Sequence, residues 1–131
     1  MSGNKAVLDS NFLIFLSKGV IDLESVRERY DKVYASIITY IEVYAYHFAE
    51  KTEKETLDDV FNFLQIIEID SQVAEFTIAY RKNQTKKIKL ADAIILASAK
   101  SVGADLITDN YRDFQDIDEG VNILALEEFR S

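Results

Sequence analysis

The chain has 131 residues, of which 48% are hydrophobic and 29% are charged, so it can bury a core and we expect one domain over residues 1–131. It has no cysteine and one histidine, which excludes a disulfide, a thiol nucleophile and a catalytic pair of histidines, and nearly excludes a zinc site of nitrogen and sulfur ligands. The net charge of −8 argues against broad, charge-driven binding to nucleic acid but allows a local basic surface.

Strand-like and helix-like patterns alternate along the whole sequence, which predicts a parallel sheet covered by helices. The first predicted strand is the apolar run Ala6-Val7-Leu8, which ends abruptly at Asp9, and a second apolar run at 12–16 opens a helix. An aspartate at the carboxyl end of a strand lies where α/β sheets bind ligands. Equally, Ser10 or Asn11 could be the helix N-cap, in which case Asp9 belongs only to the turn.

The later elements are predicted from the same patterns. Asp22 can cap a short helix from Leu23 to about Tyr30, and residues 32–35 form the next strand. A helix runs from about residue 39 towards Ala49, and a charged turn at 50–55 precedes a further helix. The remaining elements are a strand at 66–69, a helix capped by Ser71, an almost wholly apolar helix at 90–99 that Gly103 ends, and strands at 105–108 and 121–125.

The sequence shows no sign of targeting or membrane insertion. No apolar stretch approaches the roughly 20 residues that a membrane helix needs. The first residues lack the basic-then-apolar pattern of a secretory signal. We therefore expect a cytoplasmic protein with no membrane association.

Three acidic residues stand among apolar neighbours. Asp9 ends a strand, Glu42 lies in a largely apolar helix, and Asp92 falls in the first turn of a helix that is otherwise buried. Unpaired buried carboxylates are unfavourable or take up a proton. Each also has a structural explanation, since Thr39 to Glu42 match a capping box and Asp92 can favour the helix dipole. Together the three acids favour a site for magnesium or manganese, which oxygen ligands without histidine suit.

Four segments in order extend this pattern: VLDSN at 7–11, SIITYIE at 36–42, DAIILASA at 92–99 and GADLITDN at 103–110. Together they resemble the ordered motifs of PIN-domain nucleases, and among these the VapC-type toxins of toxin–antitoxin pairs. The resemblance covers essentially the whole chain. It implies an α/β fold, a three-layer α/β/α sandwich with a five-stranded parallel sheet. It also implies a magnesium- or manganese-dependent endoribonuclease that hydrolyses RNA with a metal-activated water, and an antitoxin protein as a partner.

The resemblance also assigns site residues. By motif match, Asp9, Glu42 and Asp92 are the core acids, expected to be both catalytic residues and metal ligands. The fourth family position falls on Asn110, which we expect to be catalytic, while Asp109 beside it could instead be a metal ligand. The residues expected to support these positions are Ser10, Asn11, Thr39, Thr108 and Asp113.

A polar segment ahead of Asp92 is rich in cations and contains no acid. Its basic residues are Arg81, Lys82, Lys86, Lys87 and Lys89. On a chain with net negative charge, this is where we expect an RNA backbone to lie. A solvated loop explains the segment equally well.

Aromatic residues point to a possible protein partner. Tyr40, Tyr44 and Phe48 recur at four-residue spacing, which is typical of a core. If this stripe is partly exposed, it could form the contact of an antitoxin or of the homodimer that we expect. His47 is expected to be a surface or packing residue.

Other classes fit the sequence less well. A phosphotransferase with an aspartyl nucleophile needs a second acid two residues after the first, where Asn11 stands. A receiver domain needs paired acids at the end of the first strand. A catalytically idle relative that only binds RNA or a partner protein remains the alternative.

Overall fold

The computed structural model describes residues 4–83 and 85–129, so Gln84 of the basic segment lies outside the described residues. Five parallel strands form one sheet in the order β3-β2-β1-β4-β5. The strands are β1 (Lys5–Leu8), β2 (Lys32–Ser36), β3 (Gln65–Ile67), β4 (Asp105–Thr108) and β5 (Ile123–Ala125). The central strand is β1, where Val7 is paired with Tyr34 on one side and Leu106 on the other.

Helices connect the strands. They are α1 (Ser10–Ser17), α2 (Leu23–Arg29), α3 (Ile37–Tyr44), α4 (Lys51–Phe63), α5 (Ser71–Arg81), α6 (Leu90–Val102) and α7 (Tyr111–Phe114), and a 3-10 helix at Leu126–Phe129 follows β5. Gly103 ends α6 in the left-handed conformation, with φ of 69°, as its position predicts. Within the described ranges, no helix is both long and apolar enough to cross a membrane.

Two hydrophobic clusters cover the two faces of the sheet. Leu8 belongs to a cluster with residues of α1, α2 and α4, such as Phe12 and Leu57. Val7 belongs to the other cluster, with residues of α5 and α6, such as Leu96. Successive strand residues point to opposite faces, so a strand covered on both sides must be apolar throughout. The predicted three-layer α/β/α sandwich with a five-stranded parallel sheet is confirmed.

Three predictions about helix starts are wrong. Asp9, not Ser10 or Asn11, caps α1, because its Oδ1 accepts a hydrogen bond from the Phe12 amide at 2.9 Å. Asp70 rather than Ser71 caps α5 in the same way. The proposed capping box is absent, because Ser36 caps α3 and the helix therefore begins at Ile37, two residues before Thr39.

The segment between α3 and α4 also differs from the prediction. Helix α3 ends at Tyr44 instead of continuing towards Ala49, and Phe48 packs against Tyr46 and the core beneath. His47 is exposed beyond the end of α3. The predicted charged turn at 50–55 is the first part of α4, whose charges lie mostly on its exposed face. This run of charged residues belongs to the surface of a helix. The sequence does not show this, because the helical repeat of apolar residues begins only at Leu57.

Strands β3 and β5 are shorter than predicted, and the sequence does not predict two short helical elements. Strand β3 occupies Gln65–Ile67 instead of 66–69, and β5 occupies Ile123–Ala125 instead of 121–125. The short helix α7 and the final 3-10 helix had no sequence prediction. Each has only four residues, which is too short to show a helical repeat of apolar positions.

Candidate active site

The carboxyl ends of three adjacent strands converge at one edge of the sheet. Asp9 follows β1, Ser36 ends β2 and starts α3, and Thr108 ends β4. In parallel sheets this edge is where ligands bind. The topology therefore brings the first, second and fourth sequence motifs together.

A pocket of about 220 Å³ opens at this edge, and we call it the acidic pocket. Helix α6 contributes Asp92 to it from its first turn, and α3 contributes Glu42. Its polar lining residues are Asp9, Ser10, Asn11, Glu42, Lys89, Asp92, Asn110 and Asp113. All three predicted core acids thus line one pocket, together with Asn110 and a fourth acid, Asp113.

Asp9 has both a structural and a site position. Its side chain is only 4% exposed, and Oδ1 caps α1. The hydroxyl of Thr108 donates a hydrogen bond to Oδ2, and the same hydroxyl oxygen accepts one from the Asn110 amide at 2.9 Å. The two explanations considered for Asp9, turn chemistry and a functional site, are therefore compatible.

Burial and like charges oppose ionisation in the acidic pocket. Burial raises the pKa of the Asp9 carboxyl to about 7, and the nearby charges of Asp109 and Asp92 add to this shift, while the hydrogen bonds from Thr108 and Phe12 oppose it. The pKa of Asp92 is also raised, first by burial and then by the charges of Asp113 and Glu42. Carboxylates that raise one another's pKa form an environment that a cation would stabilise.

Glu42 differs from the expectation that its apolar neighbours would bury it. It is exposed, and so are Tyr40 and Ile41 beside it, because other elements leave this side of α3 uncovered. The Ser10 hydroxyl donates a hydrogen bond to Glu42 Oε1 at 2.5 Å. This contact joins the start of α1 to α3 across the mouth of the pocket.

The turn after β4 separates Asp109 from Asn110. Asn110 lines the acidic pocket. Asp109 instead accepts a hydrogen bond from Asn11 Nδ2 at 3.0 Å and lines a neighbouring pocket. Of the two residues, only Asn110 lines the acidic pocket, although the Asp109 charge is close enough to raise the pKa of Asp9.

Thr39 and Thr108, both predicted as supporting residues, are completely buried. Thr108 contacts Asp9 directly, as described above. The Thr39 hydroxyl has no hydrogen-bond partner among the described residues and does not line the acidic pocket. The structure thus brings Ser10, Asn11, Thr108 and Asp113 to the site and leaves Thr39 behind it.

The basic segment divides into residues with different surroundings. Lys89 lines the acidic pocket at the start of α6. Lys86 donates to the backbone carbonyls of Arg112 in α7 and of Gln115 just after it, and the Arg81 guanidinium donates to the Ile88 carbonyl at 2.7 Å. A second cavity, of about 760 Å³, is lined by Arg81, Lys82, Asn83, Lys87 and Ile88, and we call it the basic pocket. A composition pattern cannot separate these positions, because the contacts of Lys86 are with residues 26 and 29 positions further along the chain.

The donors of the acidic pocket are carboxylate, amide and hydroxyl oxygens, which suit magnesium or manganese. Among the residues that the structure describes, no three His, Cys, Asp or Glu side chains already stand close enough together to hold a metal ion. Glu42 and Asp113 are exposed and can change rotamer, whereas Asp9 is fixed by its hydrogen bonds. The chemistry of the donor set fits a divalent cation, and Asp9 and Asp92 are its more buried carboxylates.

Comparison with known proteins identifies the family. The model of the PIN domain matches residues 6–120. The chain belongs to the PIN domain family. A search of curated proteins gives no match. Within this PIN domain, the matched region contains all four motifs and both pockets.

Solved structures of similar proteins agree with this assignment. A chain of a toxin–antitoxin complex from Klebsiella pneumoniae is 34% identical, with a TM-score of 0.69 and with 88% of this chain and 94% of that chain covered. A chain of DNA-bound VapBC from Salmonella typhimurium is 27% identical, with a TM-score of 0.72 and coverage of 94% and 98%. A chain of VapBC2 from Rickettsia felis, solved with a fragment of promoter DNA, is 19% identical, with a TM-score of 0.77 and with 92% of this chain and 98% of that chain covered. This similarity shows a shared fold.

Proposed function

We propose that this PIN domain is a magnesium- or manganese-dependent endoribonuclease that hydrolyses RNA phosphodiester bonds in the cytoplasm, and that it is the toxin of a toxin–antitoxin pair. PIN domains are a family of nucleases, and two similar chains belong to a toxin–antitoxin complex and to VapBC. The observation that carries the proposal is the acidic pocket, where burial and neighbouring acids raise the pKa values of Asp9 and Asp92.

The residues have distinct roles in this proposal. Asp9, Glu42 and Asp92 would hold the cation, which would supply Lewis acidity that lowers the pKa of water and offsets charge on the scissile phosphate. Asn110 donates a hydrogen bond to an oxygen of the substrate phosphate, and Asp113 accepts one from the attacking water. Asp109 is a further candidate ligand, but it does not line the pocket, and its carboxylate accepts a hydrogen bond from Asn11. Thr108 keeps Asp9 and the Asn110 backbone in register.

The RNA backbone would approach over the basic segment. Lys89 lies inside the acidic pocket, and Lys87 joins the basic pocket to the small cavity beside Asp92 and Asp113. A polyanion avoids the rest of a chain whose net charge is −8, so these local cations supply the attraction. Of the segment's residues, we assign the phosphate contacts to Lys82, Lys87 and Lys89, because Arg81 and Lys86 bind backbone carbonyls.

The proposed protein partners are an antitoxin and a second copy of the chain. Tyr40, Tyr44 and Phe61 form an aromatic cluster with ring centroids 4.9 to 5.4 Å apart, and the Tyr40 side chain is 41% exposed. Partly exposed aromatic residues favour protein contacts. Phe48 is not part of this cluster, because it packs against Tyr46. The homodimer stays a prediction, which light scattering of the purified protein tests.

The decisive experiment is cleavage of a labelled single-stranded RNA by the purified protein in magnesium or manganese, with a chelator as the negative control. Asp9→Asn, Glu42→Gln and Asp92→Asn are each expected to abolish cleavage while keeping the wild-type circular dichroism spectrum. Asp59→Asn removes an exposed charge of α4, away from the pocket, and is expected to cleave normally. A core-acid variant that cuts at the wild-type rate would remove that residue from the site.

A catalytically idle PIN domain that binds RNA or a protein partner is the second candidate. It is favoured by the absence of a preformed group of three metal-binding side chains among the described residues. Thermal melting separates the two candidates, since a ligand at 100 times its Kd stabilises the fold by about 2.7 kcal/mol. A melting temperature unchanged by millimolar manganese supports the idle module.

A further inference from the structure

Lys86 makes contacts unlike those of the other basic residues in its segment. Its ammonium group donates hydrogen bonds to two backbone carbonyls, those of Arg112 and, at 2.7 Å, of Gln115. The side chain is only partly exposed. Lysine has three donors, so two of the three are already committed to the protein.

These two carbonyls lie at the end of α7. The last carbonyls of a helix have no partner within the helix, and a charged donor satisfies them with strong hydrogen bonds. The residue after Gln115 is Asp116, whose φ of 65° is in the left-handed region, which side chains other than glycine adopt at a cost. Lys86 therefore supports a strained turn as well as a helix end.

Helix α7 forms one side of the acidic pocket. Asn110 precedes the helix, and its carbonyl accepts a hydrogen bond from the Asp113 amide at 2.9 Å. Asp113 lies within the helix, lines the pocket and raises the pKa of Asp92 by its charge. Any shift of α7 therefore moves two of the pocket's polar side chains.

We propose that Lys86 is a positioning residue, which holds α7 so that Asn110 and Asp113 face the acidic pocket, and that it does not bind RNA phosphate. This inference rests on the proposed nuclease function. Lys87 provides the contrast, because it is exposed, lines the basic pocket, and makes no hydrogen bond or ion pair with any residue that the structure describes. Two adjacent lysines thus have different functions: Lys86 holds α7 in position, and Lys87 contacts the RNA backbone.

Steady-state cleavage of a short RNA by Lys86→Met and Lys87→Met tests this division. Lys86→Met is expected to lower kcat by about 10- to 100-fold with KM and its salt dependence unchanged, as small displacements of reacting groups do. Lys87→Met is expected to raise KM and to reduce the salt slope of RNA binding by about 0.7, the value for one contact to a single strand. Lys86→Arg keeps donors for both carbonyls and should recover most of the lost kcat. Lys32→Met, at the opposite end of the sheet, is the control for charge alone.

The opposite pattern overturns the proposal: a higher KM and a smaller salt slope for Lys86→Met with kcat unchanged. Hydrogen exchange of the segment 110–117 gives a readout that needs neither metal nor RNA. The Gln115 amide, bonded to the Tyr111 carbonyl at 3.0 Å, should exchange faster in Lys86→Met and at the wild-type rate in Lys87→Met. Equal exchange in the two variants contradicts the positioning role. Wild-type protein that neither binds manganese nor cuts RNA contradicts the proposed function instead.

Discussion

The Asp9 carboxyl group is the most strongly perturbed acid of the pocket. Its pKa is near 3.8 in an unfolded chain and about 7 in the folded protein. Between these pH values the folded state holds a proton that the unfolded state has lost, so stability falls as the pH rises from about 4 to about 7. Above that range the folded protein carries an unfavourable buried charge unless a cation is bound.

We therefore expect Asp9→Asn to be more stable than wild type at pH 8 in a chelating buffer. The amide oxygen can still cap α1, while the buried charge is removed, and a gain of about 1–3 kcal/mol follows from the size of the shift. The difference should shrink towards pH 4, where the wild-type carboxyl is protonated. Urea unfolding across this pH range measures it, and a variant less stable than wild type at pH 8 contradicts this account of Asp9.

Asn110 and Asp109 offer a second comparison between single residues. Asn110 lines the acidic pocket, whereas Asp109 does not line it and accepts a hydrogen bond from Asn11. Asn110→Ala should therefore slow RNA cleavage more than Asp109→Ala, and Asn110→Asp should keep activity and tighten manganese binding, since an anionic oxygen is the better ligand. Cleavage rates and manganese titration measure these effects. The reverse order of the two alanine variants would assign the fourth position to Asp109.

At the scale of the element, Ser36 and Thr39 are the two candidate N-cap residues of α3. The Ser36 hydroxyl accepts a hydrogen bond from the Ile38 amide at 3.2 Å, so Ser36→Ala should cost about 1 kcal/mol of stability. The buried Thr39 hydroxyl has no partner among the described residues, so Thr39→Val should be neutral or stabilising. The urea midpoints of unfolding of the two variants measure these changes in stability. A larger loss for Thr39→Val would restore the capping box that the sequence predicted.

The sequence predicts elements well where apolar residues repeat over many positions. The buried strand β1 and the apolar helix α6 are examples, because tertiary burial imposes their patterns directly. Caps were harder to predict, since Asp9, Ser10 and Asn11 are all good N-cap residues and their order alone does not choose between them. The apolar pattern places the start of α4 too late, because its first turn is mostly charged and contains no apolar residue.

At the scale of the whole molecule, the sequence motifs identify the residues of the pocket, but only the topology shows how they meet. The pairing of β1 with β4 brings Asp9 to Thr108, 99 positions away. The motifs gave no sign that Lys86 reaches α7 or that Glu42 is exposed. Both depend on how distant elements pack, and local propensity contains no information about such contacts.

The whole account depends on a divalent cation in the acidic pocket, and a crystal soaked in manganese tests this claim most directly. Anomalous scattering locates the ion without assumptions about activity. The predicted result is a peak between the carboxylates of Asp9 and Asp92, lost in crystals of Asp92→Asn. A pocket without a peak at millimolar manganese, or a peak only at acids elsewhere on the surface, would contradict the account.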